Sequence, residues 1–170
     1  GAVSAALNGT YSMDDGTENK ISLGRVAKKQ QRDDTGTLEE KALKRNGKNY
    51  KKLSEHIGLL PIVMVSPSDV ALVNSGGEER RKFVNALLSQ VDNEYLIKIQ
   101  NYYRLLAQRN KLLKDEKYSV DLLDTLNVQM DENATYIYGK RKELCENLSG
   151  PVAEFYKKLS GGKEDVRLRY

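Results

Sequence analysis

The apolar positions follow one spacing in the first third of the chain and another in the rest. Small and β-favouring residues run from Ala2 to Met13 and again from Asn19 to Val26, with the turn-prone Asp14-Asp15-Gly16-Thr17 between them, which predicts a β-hairpin. Lys28 to Thr37 is polar throughout, has nothing to bury, and predicts an exposed loop. Leu38 to Arg45 predicts a third strand. Asn46-Gly47, a pair that tolerates two successive positive φ angles, predicts a tight turn into a return strand from Lys48 to Tyr50. Lys51 to Ile57 predicts a short helical turn. The most apolar short run is Leu59-Leu60-Pro61-Ile62-Val63-Met64-Val65, between Gly58 and Ser66-Pro67-Ser68-Asp69. It predicts a buried strand, with Pro61 at its start or on an unpaired side because proline has no N–H to give a ladder. Ser68 is expected to cap a short helix running through Val73.

From Gly77 the spacing becomes helical. Glu78 and Glu79 are acidic residues in a first turn, where the helix dipole favours them, and Phe83, Val84, Leu87, Leu88 and Val91 form an apolar stripe. A second helix starts near Asp92. Its expected core positions are Leu96, Ile99, Tyr103, Leu106, Asn110 and Leu113, the alternating three-and-four spacing of a helix packed along a partner. Asn110 stands at a seam position where an apolar residue is expected. A third long helix is predicted from Ser119 to Leu148, with Leu123, Leu126, Met130, Ala134, Ile137, Leu144 and Leu148 on one side and Arg141 at an otherwise apolar slot. A short link near Tyr118 makes the two long helices an antiparallel pair. Gly150-Pro151 is expected to break the third helix, leaving Val152 to Leu159 as a final short one. Ser160-Gly161-Gly162 ends it, and the alternation of Val166, Leu168 and Tyr170 with Asp165, Arg167 and Arg169 predicts a C-terminal strand.

Composition adjusts this α+β picture without overturning it. In 170 residues an apolar content of 39% is lean for one compact core and suggests either an elongated shape or a core completed by further chain. No run of about 18 apolar residues is present to span a bilayer, and no secretory leader pattern is seen, so a membrane partner is not expected. A single cysteine, Cys145, forms no internal disulfide and suits a reducing cytoplasm. The net charge of +4 is too small to argue for nucleic acid. Its distribution is more informative, because residues 25–52 carry ten basic and four acidic side chains while residues 119–139 carry four acidic and no basic ones.

Catalytic chemistry finds little support. One His and one Cys, with no HExxH or CxxC, support no metal site and no Cys–His nucleophile built from Cys145 and His56. Neither Gly47-Lys48 nor Gly162-Lys163 belongs to a GxxxxGK[ST] phosphate loop. Leu159-Ser160-Gly161-Gly162-Lys163 looks like the LSGGQ signature of ABC-type ATPases, but there the glycines open a helix and here they close one, so a helix C-cap is the better reading. The stretch from Ser75 to Phe83 places a glycine pair before a helix whose first turns carry Arg80, Arg81 and Lys82. These three could contact an anion such as DNA, or could simply be surface charge paired along the helix, Glu78 with Lys82.

At these residues the sequence resembles the bacterial recombination and repair ATPase family RecF. Leu60 to Asn74 is similar to that family's strand and (S/T)PED turn, Gly77 to Asn85 to its GxPxxRRxFLD helix start, and Tyr102 to Lys114 to its YxxxLxQRNxxLK helix. Ser68 stands where the family commonly has Glu, and Asn85 where it commonly has Asp. The resemblance covers nearly all of residues 7–170 and implies an internal piece of a longer protein. Residues 1–67 would belong to the β-rich part of an ABC-type ATPase head, 68–160 to a helical lobe, and 161–170 to a strand returning to the head.

What the family implies goes further. The intact protein would bind ATP with Mg, hydrolyse it, dimerise around it, clamp DNA at single-strand/double-strand junctions, work with a RecR-like mediator to load recombinase, and serve the SOS response to DNA damage in the cytoplasm. This stretch would hold no cofactor and no catalytic residue, and would be inactive alone. Arg80, Arg81, Lys82, Arg104, Arg109, Lys111 and Lys114 are the DNA-facing candidates, and Arg104, Lys111 and Lys114 share one helix face by their spacings of seven and three. Asp69 and Asn110 are candidates for locking lobe to head, and Arg109 has that role beside Asn110 as its alternative to facing DNA. The competing reading is a structural or partner-docking lobe without DNA contact.

Overall fold

The structure is a computed structural model and describes residues 4–28, 38–114 and 119–170. The expected Lys28–Thr37 loop, apart from Lys28, and the link near Tyr118 fall outside these residues. The chain divides into two compact units, Gly1–Leu59 and Leu60–Tyr170.

The first unit is an antiparallel sheet of four strands in chain order: β1 (Ser4–Ser12), β2 (Glu18–Lys28), β3 (Leu38–Arg45) and β4 (Lys48–Asn49). Both visible turns are built from the residues the sequence singles out. Between β1 and β2 the Asp15 carboxylate accepts from Thr17 N at 2.9 Å and Thr17 Oγ1 at 2.6 Å, and Gly16 takes φ +80°. The Thr17 hydroxyl bond is the main reason the Asp15 carboxyl titrates below its usual range. Between β3 and β4, Asn46 (φ 50°) and Gly47 (φ 79°) supply the two left-handed residues of a tight hairpin turn. Asn46 also ties this turn to β2, since its amide donates to Lys20 O and its side-chain oxygen accepts from Lys20 N, both at 2.8 Å. Pairing places Leu7 opposite Leu23 and Leu23 opposite Leu43, a cross-strand leucine row on one face. A 3₁₀ turn, Leu53–His56, follows, and the Tyr50 hydroxyl lies 3.2 Å from His56 Nδ1.

In the second unit the apolar run at Leu59–Val65 is not a buried strand. Residues 61–65 are irregular, and Ile62, Val63, Met64 and Val65 are 67%, 86%, 83% and 85% exposed. Hydrophobicity specifies burial only where another surface is available; among the described residues no strand pairs here, and the Ile62 amide donates instead to Gln90 Oε1 at 2.8 Å. The turn that follows starts one step earlier than expected: Ser66, not Ser68, precedes a 3₁₀ turn Pro67–Val70 that leads into the short α1 (Ala71–Asn74). Pro67 suits the first helical position, where its missing N–H would have no partner anyway.

Three longer helices make the body of this unit: α2 (Gly77–Val91), α3 (Asn93–Leu113) and α4 (Val120–Leu159). Helix α3 runs antiparallel to α4, as the pairs Asp92–Tyr136, Tyr95–Arg141 and Arg109–Asn127 show. The core is Leu88, Tyr95, Ile99 and Ile137, with Val84, Tyr102, Tyr136 and Leu144 packed against it. On α4 the predicted stripe is the buried one: Leu126 and Ile137 are buried, and Leu123, Met130, Ala134, Leu144 and Leu148 are half-buried. On α3 the predicted seam holds at Leu96, Ile99 and Leu106 and is rotated at its other positions. Tyr103, Asn110 and Leu113 are exposed, while Tyr95 and Leu105 are buried and Tyr102, Arg109 and Leu112 half-buried. Sequence spacing allowed both seams; the buried one gives the Tyr95 hydroxyl hydrogen-bond partners, without which burying a tyrosine is costly.

Helix α4 also continues through Gly150-Pro151. Proline removes one backbone bond from a forty-residue ladder, but half-buried Leu148 before it and Val152 and Tyr156 after it keep the helix seated on both sides. Its end is the expected C-cap: Gly161 and Gly162 adopt φ +63° and +75°, and Gly162 N donates to Lys157 O at 2.9 Å, the six-to-one bond of a Schellman motif. The final residues, 164–170, are not a strand. Alternation specifies an extended backbone, but a strand also needs a paired neighbour, and the described residues provide none there.

Candidate functional site

Helix α2 opens at the glycine pair and presents its basic first turns, but the three cations there are in different circumstances. Arg80 Nη1 donates to Ser75 O at 3.0 Å and Leu72 O at 3.2 Å, so it closes the end of α1 against the start of α2. Lys82 lies 3.0 Å from Glu78 and 2.9 Å from Glu79, and these bonds, Glu79's first, raise its pKa. Arg81 folds back over Gly77, where a Cβ would come within 2.9 Å of its Nη1. It lines a cleft, where it adds to Lys82 in holding the Glu78 carboxyl below its usual range.

On α3, Arg104, Lys111 and Lys114 are exposed, as their shared spacing predicts, with Arg104 making one long bond of 3.5 Å to Asn101. Arg109 departs from this face. It is half-buried, and its Nε donates to Asn127 Oδ1 on α4 at 2.9 Å, a clamp between the long helices. Asp69 accepts from Ser66 N at 2.6 Å and thereby holds its own turn, while Asn110 is exposed.

The structure gathers a second set of polar groups that spacing did not assemble. Arg141, the cation in the apolar stripe of α4, donates through Nε to Tyr95 Oη at 3.0 Å, through Nη2 to Asn85 Oδ1 at 2.8 Å, and through Nη1 to Tyr170 Oη at 3.2 Å. Tyr95, with no exposed surface, donates its hydroxyl hydrogen bond to Asn85 Oδ1 at 2.6 Å, and Asn85 Nδ2 donates to Tyr103 Oη at 3.2 Å. One guanidinium thus joins α2, α3, α4 and the C-terminal segment. Burial pushes the Tyr95 phenol up, and the neighbouring Arg141 only partly offsets this. Burial also works against the charge on Arg141, but the Tyr170 and Tyr95 hydroxyls outweigh it and hold the guanidinium protonated.

A turn away on α3, Asp92 is the second hub. Its carboxylate caps α3 by accepting from Tyr95 N at 2.9 Å, accepts from the Tyr136 hydroxyl at 3.0 Å, and lies 3.7 Å from Lys140 Nζ. Partial burial pushes its carboxyl up, yet the Tyr95 amide, the Tyr136 hydroxyl and Lys140 together hold it below the usual carboxylate range. Tyr136 is pushed up to about 12, by burial first and by its bond to Asp92 second. Neither hub was legible as a cluster; the available signals were Arg141 inside an apolar stripe and Asn85 at the position where an acid is common.

Two clefts flank Arg141. One, of about 570 Å³, has Ile99 and Ile137 in its lining and carries Arg81, Tyr103, Tyr138 and Tyr170. The other, of about 490 Å³, is more apolar, lined by Phe83, Val84, Leu144 and Leu148 together with Leu168. The C-terminal residues Leu168 and Tyr170 therefore lie against the helices, Tyr170 with its ring 5.3 Å from that of Tyr138.

No protein-family model matches the chain. Among curated proteins it is 44% identical over 132 residues to the DNA replication and repair protein RecF of Parabacteroides distasonis, a match covering 78% of this chain and 36% of that protein. It is 38% identical over 167 residues to the protein of the same name from Bacteroides thetaiotaomicron, across 96% of this chain and 42% of that protein. Among solved structures, the recombination mediator protein RecF-ATPrS in the RecFOR pathway superposes with a TM-score of 0.77 at 27% identity, over 92% of this chain and 40% of that one. The RecF-ATP structure gives 0.79 at the same identity and coverage. The chain spans about two fifths of the length of these relatives. In sequence and in its sheet-then-helices architecture alike, the chain belongs to the RecF family.

Proposed function

We propose that this chain is the hairpin sheet and helical lobe of a DNA repair ATPase that, as a whole protein, closes as an ATP-dependent dimer on gapped DNA and acts with a RecR-like mediator to load recombinase. The observation that carries the reading is the likeness to RecF over nearly the whole chain in both sequence and fold, with the solved relatives described as holding ATP or an analogue of it. ATP and Mg would be held by parts of the protein outside this stretch, since the 170 residues contain no GxxxxGK[ST] loop. In such a machine nucleotide stabilises the closed dimer through contacts it makes only there, and hydrolysis releases it.

Within the lobe the DNA-facing role falls best on Arg81, Arg104, Lys111 and Lys114, which are exposed. Arg80, Lys82 and Arg109 are already engaged, with carbonyls, glutamates and Asn127 respectively. Phosphate contacts of this type are independent of base sequence and weaken steeply with salt. Titrating the chain against gapped duplex DNA at low and high salt tests this. Binding that falls with salt, with a slope reduced by about one for each lysine or arginine on α3 changed to alanine, supports the DNA-facing face. Absence of binding at low salt favours the alternative, a partner-docking lobe, for which the Arg109–Asn127 clamp and the exposed apolar residues 62–65 speak.

A further inference from the structure

We infer that the cleft beside Arg141 binds a phosphate oxyanion, with Arg141 and Arg81 supplying positive charge and the Tyr103 and Tyr170 hydroxyls supplying donors. Arg141 is half-buried, and its three hydrogen-bond partners are all neutral: two phenols and an amide. No carboxylate among the described residues lies within 4.0 Å of it. A guanidinium withdrawn from water without a counter-ion is unfavourable, and an anion in the adjoining cleft relieves it.

The remaining chemistry of the cleft is that of a donor set. A guanidinium has five N–H donors; three of Arg141's are committed, which leaves two for a ligand in the fork geometry that suits phosphate. Tyr103 and Tyr170 use their oxygens as acceptors, from Asn85 and Arg141, so each hydroxyl retains its proton to give. Arg81 lines the same cleft. The one carboxylate in the lining, Glu78, is paired first with Lys82 at 3.0 Å and is also within reach of the Arg81 charge, so among the described residues Arg141 is the arginine there without a carboxylate partner. This site is distinct from the α3 face assigned to DNA; of the residues given the DNA-facing role only Arg81, on α2, is shared, and either can fail without the other.

The test is a titration of the chain with sodium phosphate at constant ionic strength, chloride making up the balance, read by the Arg141 Nε–H resonance and by the thermal midpoint. The expected result is a saturable shift of that resonance with a rise in midpoint. Asn85→Asp is the decisive variant: it places a carboxylate where Arg141 Nη2 now meets Oδ1 at 2.8 Å, keeps the fold, and should lower phosphate affinity by about tenfold. Arms with inorganic phosphate and with a short single-stranded oligonucleotide separate a free phosphate from a backbone one; tighter binding of either identifies the source. A wild-type chain that shows no saturable shift, an Asn85→Asp chain that responds unchanged, or an acetate arm that competes as well as phosphate overturns the assignment.

Discussion

In the sheet, Asn19 and Ile21 are the buried residues among those whose side chains are described, and Leu7 and Leu23 of the leucine row are 71% and 38% exposed. The helical unit buries Leu88, Tyr95, Leu96, Ile99, Leu105, Leu126 and Ile137, and threads Arg141 and Asp92 between its helices. The sheet's order is therefore carried by neighbouring strands and by turns that close within a few residues. The helical unit depends on groups 44 to 56 positions apart, from Asp92–Tyr136 to Asn85–Arg141. Short-range turns and pairings define most of the first, with Lys20–Asn46 joining positions 26 apart; the second exists only when more distant residues meet.

The largest break in this comparison should come from Tyr95→Ala, which removes a fully buried ring and strands Asn85 and Arg141. A loss of about 3–5 kcal/mol is expected, read as a lower urea midpoint of the helical circular dichroism, while amide exchange in β1–β3 stays unchanged. Asp92→Ala should cost about 1 kcal/mol through the lost cap alone, with a further loss from the Tyr136 bond.

Two pH limits follow from the same hub. Because the folded Asp92 pKa lies below its ordinary value, its stabilisation is complete above the unfolded carboxylate pKa and disappears as pH falls through the lower folded value. Tyr136 is displaced upward, to about 12, so its contribution is complete below the unfolded tyrosine pKa of about 10 and disappears as pH rises toward 12. Melting followed across pH should show a fall at each end, and Asp92→Asn should reduce the acid one. An acid limb unchanged in that variant would count against Asp92 as its source.

Gly47→Ala tests the sheet in the same way. At φ +79° a Cβ costs about 1 kcal/mol, and the expected effect is faster amide exchange in β3 and β4 with the helical melt unaffected. If the helices melted earlier as well, the two units would not unfold independently. Smallest of all should be Val63→Thr, which changes a side chain 86% exposed and is expected to leave both transitions where they are.

Residue patterns carried much of the fold. Asp15-Gly16 and Asn46-Gly47 named their turns because only a few residue types accept positive φ, and Gly161-Gly162 named the end of α4 for the same reason. The α4 stripe was legible because its spacing admitted one face. Leu59–Val65 and Asp165–Tyr170 misled because an apolar or alternating run states a preference for an extended, covered backbone but cannot state what pairs with it. Of the seven candidate cations, the structure leaves Arg81, Arg104, Lys111 and Lys114 exposed. Arg80, Lys82 and Arg109 could not be told from them, because what a cation is bonded to depends on neighbours such as Leu72, Ser75 and Asn127 that folding brings to it.

By itself, then, the amino-acid order determined the turns, the Gly161-Gly162 close of α4, the antiparallel sheet and the likeness to RecF, all of which depend on residue type at short range or on motifs read in line. Tertiary structure alone decided the seam of α3, the passage of α4 through Pro151 and the convergence of Asn85, Tyr95, Arg141 and Tyr170. The reason is energetic: two seams with equal apolar spacing differ in whether a buried hydroxyl finds a partner, and that partner sits on another helix.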